Sequence, residues 1–117
     1  MAFILGVARE RADGERRLAL TPETCKKLTA AGAQVRIERG AGKGIGVVDD
    51  AYAEAGAQLV DDARAALGEA DVVLCVQPPA ADLIAAMKQG AVLVGSLQPE
   101  ADPARGDAIR AHGIVAF

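Results

Sequence analysis

The chain has 117 residues, a net charge of −3 at neutral pH and 51% hydrophobic residues. This length suits one domain with one hydrophobic core and is too short for two. Acidic and basic residues are mixed along the chain, so the basic patch of a nucleic-acid-binding protein is missing, and no apolar run approaches the roughly 20 residues that cross a bilayer.

The first third of the chain predicts two strands with a helix between them. The apolar run Phe3–Val7 predicts a buried strand. Thr21 predicts the start of the helix, because its hydroxyl can accept a backbone N–H and the following Pro22 suits the first helical position. Gly32 is the predicted end of this helix. Apolar and polar residues alternate in Gln34–Glu38, which predicts a strand near a sheet edge or with one solvated face.

The middle of the chain predicts shorter elements. Asp49 is the predicted N-cap of a helix that ends at Gly56, and Gln58–Val60 predicts a short strand. Asp61–Leu67 predicts a helix whose two leading aspartates favour its positive end.

The last third continues the same alternation. The segment VVLCV at 72–76 is the most strongly apolar stretch and predicts a central strand. Ala81–Lys88 predicts a helix, AVLVGSL at 91–97 a buried strand, 102–112 a helix and IVAF at 114–117 a last strand. Strands and helices alternate at the spacing of βαβ units. The sequence therefore predicts an α/β domain with a parallel sheet of five to six strands and helices on both faces.

Residues 38–46, ERGAGKGIG, have the composition of a phosphate-binding loop but not its spacing. A dinucleotide fingerprint reads G-x-G-x-x-G, and when it is started at Gly40 the third glycine position holds Ile45. No other start within the loop fits. A P-loop requires serine or threonine after its lysine, and here a glycine follows Lys43. The stretch therefore predicts a loop at the carboxyl end of a strand, where clefts often form, and not a phosphate site.

Three segments are more specific when they are taken together. They are GVARERADGERRLALTPE at 6–23, ERGAGKGIGVVDDAYAEAGAQLV at 38–60, and ADVVLCVQPP at 70–79 followed by GAVLVGSLQP at 90–99. This series resembles the N-terminal domain shared by alanine dehydrogenases and the alpha subunit of proton-translocating NAD(P) transhydrogenases. The most distinctive stretch is the run Gly6, Arg9-Glu10, Glu15, Arg17, Ala19 and Thr21-Pro22. Ala8 stands where this family usually has a proline.

The resemblance implies a flavodoxin-like fold and a two-domain architecture. In such proteins the chain continues into an NAD-binding Rossmann domain, which is absent from these residues. Residues 1–117 then correspond to one domain of the alanine dehydrogenase/transhydrogenase N-terminal type, which is incomplete relative to the family. The glycine loop is not the NAD fingerprint of such proteins.

The resemblance also implies three substrate- or anion-binding positions, with no catalytic, cofactor-binding or metal-binding residue in this chain. Arg17 stands where an arginine holds the substrate carboxylate in alanine dehydrogenases. The alternative for Arg17 is a surface position paired with Glu10 or Glu15. Cys75 stands where those enzymes have a lysine, and Gln98 where they have a histidine.

These departures separate the two branches of the family. A thiol has no fixed positive charge to orient a keto acid, and the amide of Gln98 does not titrate, so a keto-acid amination site is predicted to be disabled. Many transhydrogenase relatives also keep the lysine, so Cys75 departs from both branches, and its simplest role is that of a small core residue. Gln98 follows a strand's carboxyl end, where open α/β sheets bind ligands.

The departures favour the transhydrogenase branch. The resemblance then implies hydride transfer between NAD(H) and NADP(H), coupled to proton translocation in the full complex, with no catalysis by this chain alone. One alternative is a fragment of an alanine dehydrogenase, which deaminates alanine oxidatively with NAD. Another is a stand-alone, non-enzymatic binding or interaction module.

The expected cofactors, partners and location follow from the same resemblance. NAD(H) and NADP(H) serve the full complex, and neither is expected to bind this chain alone. The expected partners are the remaining transhydrogenase domains, the membrane beta subunit and a second copy in a homodimer, with no nucleic acid and no direct membrane insertion. The well-separated Cys25 and Cys75 indicate a reducing cytoplasm. A peripheral position at the inner face of the bacterial membrane, through partner subunits, is a further expectation.

Overall fold

Six short strands form in the computed structural model, which describes residues 3–11, 18–77, 79, 81–95, 107, 109–110 and 113–116. Their bounds are β1 Ile4–Val7, β2 Gln34–Glu38, β3 Gln58–Val60, β4 Val72–Leu74, β5 Val92–Val94 and β6 Val115–Ala116. The predicted bounds of β2 and β3 are confirmed. The apolar run of β4 continues beyond Leu74, but the strand ends there because the amides of Val76 and Gln77 bind a side chain instead of a neighbouring strand.

The helices bounded within the described residues are α1 Pro22–Ala30, α2 Asp49–Glu54, α3 Ala63–Leu67 and α4 Ala81–Ala86. Asp107, Ile109 and Arg110 are also helical. They belong to the segment 102–112, for which a helix is predicted, and the rest of that segment lies outside the described residues.

The starts of α1 and α3 follow from side-chain capping. The hydroxyl of Thr21 accepts the N–H of Thr24 at 3.2 Å, and Pro22 is the first residue of α1, as predicted. The carboxylate of Asp62 accepts the N–H of Ala65 at 2.7 Å at the start of α3. Each contact satisfies one of the N–H groups that a helix start leaves without a partner.

The predicted N-cap at Asp49 is wrong. Helix α2 begins at Asp49 itself, and its N-cap is Val48, which makes no side-chain hydrogen bond. The carboxylate of Asp49 instead accepts the N–H of Gly40 at 2.8 Å. The capping rule failed because a more distant amide in the glycine loop takes this side chain.

All neighbouring strands are parallel, in the order β3-β2-β1-β4-β5-β6. Without the edge strand β3 this is the 2-1-3-4-5 order of flavodoxin, and β3 extends it to the 3-2-1-4-5-6 order of dinucleotide-binding sheets. The predicted α/β class, parallel sheet and flavodoxin-like arrangement are confirmed. Because the chain builds outward from β1 in both directions, the switch point lies between β1 and β4.

The sheet separates two hydrophobic clusters, which we name the first and second cores. The first core includes Val7 of β1 and Tyr52 of α2. The second core includes Leu67 of α3 and Ile84 of α4, and Ile4 of β1 packs against it. Successive side chains of a strand point to opposite faces, so β1 contributes to both cores. The predicted placement of helices on both faces is confirmed.

Gly6 is the position at which α3 packs closely on β1. A Cβ at Gly6 would lie 2.3 Å from the carbonyl oxygen of Ala66 and 3.0 Å from the Cβ of Ala70. We expect Gly6→Ala to lower the free energy of unfolding by about 1–3 kcal/mol, because the backbone has to shift. Urea unfolding at pH 7 measures the loss. Ala53→Ser adds one atom at an exposed position of α2 and should change stability by less than about 0.5 kcal/mol. Equal effects of the two changes would contradict the close packing.

Asp71 joins the start of β4 to the start of β1. Its carboxylate pairs with the ammonium of Lys88 and accepts the N–H of Ile4 at 2.8 Å. The hydrogen bond from Lys88, and then the one from Ile4, hold the pKa of Asp71 below its usual value. Because the folded pKa is lowered, this stabilisation is present above the pKa of the unfolded chain, about 3.9, and is lost as the pH falls through the folded value.

We therefore expect Asp71→Asn to unfold at a lower urea concentration than the wild type at pH 7. The difference should shrink as the pH falls below about 3.9, because the wild-type carboxylate then loses its charge as well. Urea midpoints measured between pH 7 and pH 2.5 provide the check. Asp61→Asn alters an exposed carboxylate and is the control. A difference that persists unchanged in acid would argue against the ionic contribution of Asp71.

Candidate functional site

The carboxyl ends of β1 and β4 lie side by side at the switch point, which is where open α/β sheets bind ligands. The loop after β1 begins at Ala8, and the loop after β4 begins at Cys75. Together with the end of β2, these two loops form the candidate site.

Glu38 is a buried acid at the end of β2, with a side chain that is 7% exposed. Its carboxylate accepts the backbone N–H of Arg9 at 2.8 Å and two N–H groups of the Arg11 guanidinium at 2.9 and 2.5 Å. A guanidinium that binds both carboxylate oxygens is fixed in orientation as well as in position. The hydrogen bonds with Glu38 raise the pKa of Arg11. The loop after β1 is therefore tied to β2.

Glu10 ties the same loop to β4. One carboxylate oxygen of Glu10 accepts the N–H of Val76 at 2.9 Å, and the other accepts the N–H of Gln77 at 3.0 Å. Glu10 lies in the chain between the two arginines that contact Glu38. Three consecutive residues therefore connect the carboxyl ends of β2, β1 and β4.

Cys75 follows β4 directly and lies at this edge of the sheet. Its side chain is half-buried and packs against the second core, and its thiol donates to the carbonyl of Val94 at a sulfur–oxygen distance of 3.5 Å. A Cβ at Gly95 would lie 2.4 Å from both the Cys75 carbonyl oxygen and its sulfur. The thiol therefore occupies a narrow space between β4 and the end of β5. The two cysteines of the chain form no disulfide.

Of the three residues predicted for the site, the structure brings Cys75 to the switch point. Arg17 and Gln98 lie outside the described residues. The binding roles given to all three stay predictions. Glu10, one of the two acids considered as a partner of Arg17, contacts the loop after β4.

The glycine loop at the end of β2 is closed by its own hydrogen bonds. The N–H of Gly40 donates to Asp49 at 2.8 Å, and the N–H of Val47 donates to the carbonyl of Gly42 at 2.9 Å. Other amides also donate to carbonyls of the same segment, and they belong to Ala41, Lys43, Ile45 and Gly46. Amides bonded in this way do not form an open phosphate cradle.

One aromatic ring packs this loop against the segment that leads into α1. A Cβ at Gly42 would lie 2.7 Å from the Val47 carbonyl oxygen and 2.9 Å from a ring carbon of Tyr52. Tyr52 is fully buried, and its hydroxyl donates to the carbonyl of Leu20 at 2.7 Å. Burial raises the pKa of this phenol. The glycine at position 42 is therefore a packing requirement of the Tyr52 ring.

A groove of 410 Å³ opens beside the candidate site at the starts of α3 and α4. Its lining residues are Arg11, Asp62, Ala63, Arg64, Asp82 and Leu83. The two arginines and two aspartates balance each other, so the groove favours neither an anion nor a cation. Among the described residues, no group of histidine, cysteine, aspartate and glutamate side chains could hold a metal ion.

Glu10, Arg11 and Glu38 are not among the residues that the sequence predicts for the site. The signal that the sequence offers is a charged run, Arg9–Arg11, directly behind a buried strand. The partners are distant: 29 residues separate Arg9 from Glu38, and 66 separate Glu10 from Val76. Only the strand order shows that these groups meet.

Comparison with known proteins relates this arrangement to a family. The family model described as "Alanine dehydrogenase/PNT, N-terminal domain" matches residues 6–117. The chain belongs to this family. The charged run and Cys75 are therefore features of an alanine dehydrogenase/PNT N-terminal domain.

Relatives of this domain come from both branches of the family. The chain is 43% identical over 95 residues to an NAD(P) transhydrogenase alpha subunit of Rhodospirillum rubrum, in a match that covers 77% of the chain and 25% of that subunit. It is 34% identical over 115 residues to the alanine dehydrogenase of Bacillus subtilis, in a match that covers 98% of the chain and 30% of that enzyme. The structure of a transhydrogenase from Sinorhizobium meliloti superposes with a TM-score of 0.88 at 33% identity, over 97% of this chain and 34% of that one.

The alanine dehydrogenase/PNT N-terminal domain thus spans about a quarter to a third of the length of these relatives. Within the residues that the structure describes, no helix is long and apolar enough to cross a membrane.

Removing Arg11 would leave the buried Glu38 carboxylate without its guanidinium. Breaking a fully buried pair costs about 3–5 kcal/mol. Because the Arg11 side chain is 41% exposed, we expect Arg11→Ala to lower the free energy of unfolding by about 1–2 kcal/mol. Urea unfolding at pH 7 measures the loss.

The matched control is Arg39→Ala. This change breaks the pair between Arg39 and Asp61, whose side chains are 55% and 90% exposed. Such an exposed pair contributes less than about 0.5 kcal/mol. Similar losses for the two arginine variants would mean that burial of Glu38 does not set the strength of its ion pair.

Proposed function

We propose that this chain is the N-terminal domain of an oxidoreductase similar to the NAD(P) transhydrogenase alpha subunit. The complete protein transfers hydride between NAD(H) and NADP(H) and couples the transfer to proton translocation. The chain alone does not catalyse this reaction, because the nicotinamide sites lie in the remaining domains.

The observation that supports the transhydrogenase branch is the neutral residue at the end of β4. The thiol of Cys75 donates to the Val94 carbonyl and packs against the second core. It therefore offers no fixed positive charge to orient the carbonyl of a keto acid. Hydride transfer between two nicotinamides needs no amino-acid pocket. The identity of 43% to a transhydrogenase subunit supports the same branch.

The cofactors and partners belong to the same proposal. NAD(H) and NADP(H) bind to the full complex and not to this chain alone. The partners are the remaining transhydrogenase domains and a membrane beta subunit, with a second copy of the chain in a homodimer. The domain then lies in the cytoplasm, at the inner face of the bacterial membrane, held there by its partner subunits.

An alanine dehydrogenase is the second candidate, because the Bacillus subtilis enzyme matches 98% of this chain. That function requires a keto-acid site near Arg17. It also requires another residue to replace the lysine that Cys75 does not supply.

Two assays on the complete protein that contains this domain separate the candidates. Transhydrogenation is followed as reduction of an NAD⁺ analogue by NADPH, and alanine deamination as NADH formation from L-alanine and NAD⁺. We expect the first reaction and not the second. Alanine-dependent NADH formation would overturn the proposal, and the absence of both reactions would favour a non-enzymatic module.

Titration of the chain itself tests where the ligands bind. We expect no saturable binding of NADH, followed by calorimetry, and no shift of backbone amides when pyruvate is added. Micromolar NADH binding would place a nicotinamide site in this domain, contrary to the proposal. Pyruvate-dependent shifts around Arg17 would favour the alanine dehydrogenase.

A further inference from the structure

The contact between Glu10 and the loop after β4 is not used by the function proposed above. Two consecutive backbone amides, those of Val76 and Gln77, converge on one carboxylate and give one N–H to each of its oxygens, at 2.9 and 3.0 Å. Consecutive N–H groups that converge in this way form a binding site for an anion. Here the anion is a side chain of the same molecule.

The two halves of this contact are fixed by separate interactions. The backbone on either side of Glu10 is fixed by Glu38, which binds the N–H of Arg9 and the guanidinium of Arg11. The loop after β4 is fixed at its start, because the N–H of Cys75 donates to the Val94 carbonyl at 3.0 Å. We therefore expect the two amides to keep their place when the Glu10 side chain is removed.

We propose that the loop after β4 is a carboxylate-binding site, that Glu10 is its resident ligand, and that small monocarboxylate anions occupy the site when Glu10 is displaced. A planar carboxylate matches two amides that each need one acceptor oxygen, and its charge strengthens both bonds. Chloride does not reproduce that geometry. Glu10 is thus a positioning residue, which holds the loop after β4 against the loop after β1. The site does not depend on the proposed activity, because both of its halves belong to this chain.

Chemical rescue with acetate tests the site. Glu10→Ala removes the side chain beyond Cβ, and acetate has the same carbon and oxygen skeleton as the atoms removed. The full chain of this variant is titrated with sodium acetate, and with sodium chloride at the same ionic strength, while the amide resonances of Val76 and Gln77 are followed. We expect these two resonances to shift saturably with acetate and not with chloride. The wild type should not respond, because Glu10 fills its site.

Hydrogen exchange gives the size of the effect. Loss of Glu10 should speed exchange at Val76 and Gln77 about tenfold, the factor that corresponds to one charge-assisted hydrogen bond. Saturating acetate should restore the slow exchange. Glu54→Ala, which removes an exposed carboxylate at the end of α2, is the matched control and should do neither.

The proposal is overturned if the two amides of Glu10→Ala ignore acetate, or if the wild type responds to acetate equally. If Glu10→Ala does not fold, Glu10→Gln decides the matter. Its side chain has one acceptor oxygen in place of two, so one of the two amides should lose protection while the other keeps it. Protection of both amides at the wild-type level would overturn the proposal as well.

Discussion

The buried carboxylate of Glu38 determines how the carboxyl edge of this sheet is built. A charge removed from water needs hydrogen-bonding partners, since its burial is otherwise strongly unfavourable. Arg9 supplies a backbone N–H and Arg11 supplies a guanidinium, so the loop after β1 cannot move away without leaving that charge unpaired. Glu10, held between these two residues, reaches the loop after β4. One buried acid on β2 thereby sets the relation between two loops that neither begin nor end on its own strand.

Local signals were sufficient for most of the fold. The alternation in Gln34–Glu38 placed Val35 and Ile37 in the first core, and Thr21 caps α1 as its hydroxyl predicts. The parallel sheet followed from the repeated alternation of strand and helix. Asp49 marks the limit of such signals, because its carboxylate turns to Gly40 instead of its own helix. A local rule contains no information about a competing amide elsewhere in the chain.

The candidate site was less accessible to sequence reasoning, because its contacts join residues that are far apart in the chain. Nothing near Glu38 shows that it will be buried beside Arg9, and nothing near Glu10 points to Val76. Both follow from β1 lying between β2 and β4, which the sequence alone did not specify. Cys75 was found differently, through its position in a family motif. Its placement after β4 is a fact of the fold, whereas the binding role of that position, like those of Arg17 and Gln98, was inferred from relatives.

The buried ring of Tyr52 has a practical consequence. The chain contains one tyrosine and no tryptophan, so its near-ultraviolet absorbance and fluorescence come almost entirely from a single chromophore. The hydroxyl of that chromophore is bonded to the carbonyl of Leu20, which lies shortly after Arg17 in the chain. Any event that displaces the segment leading into α1 would disturb this bond and change the emission. The domain therefore carries an intrinsic optical reporter, which needs no label, beside the position where an anion is expected to bind.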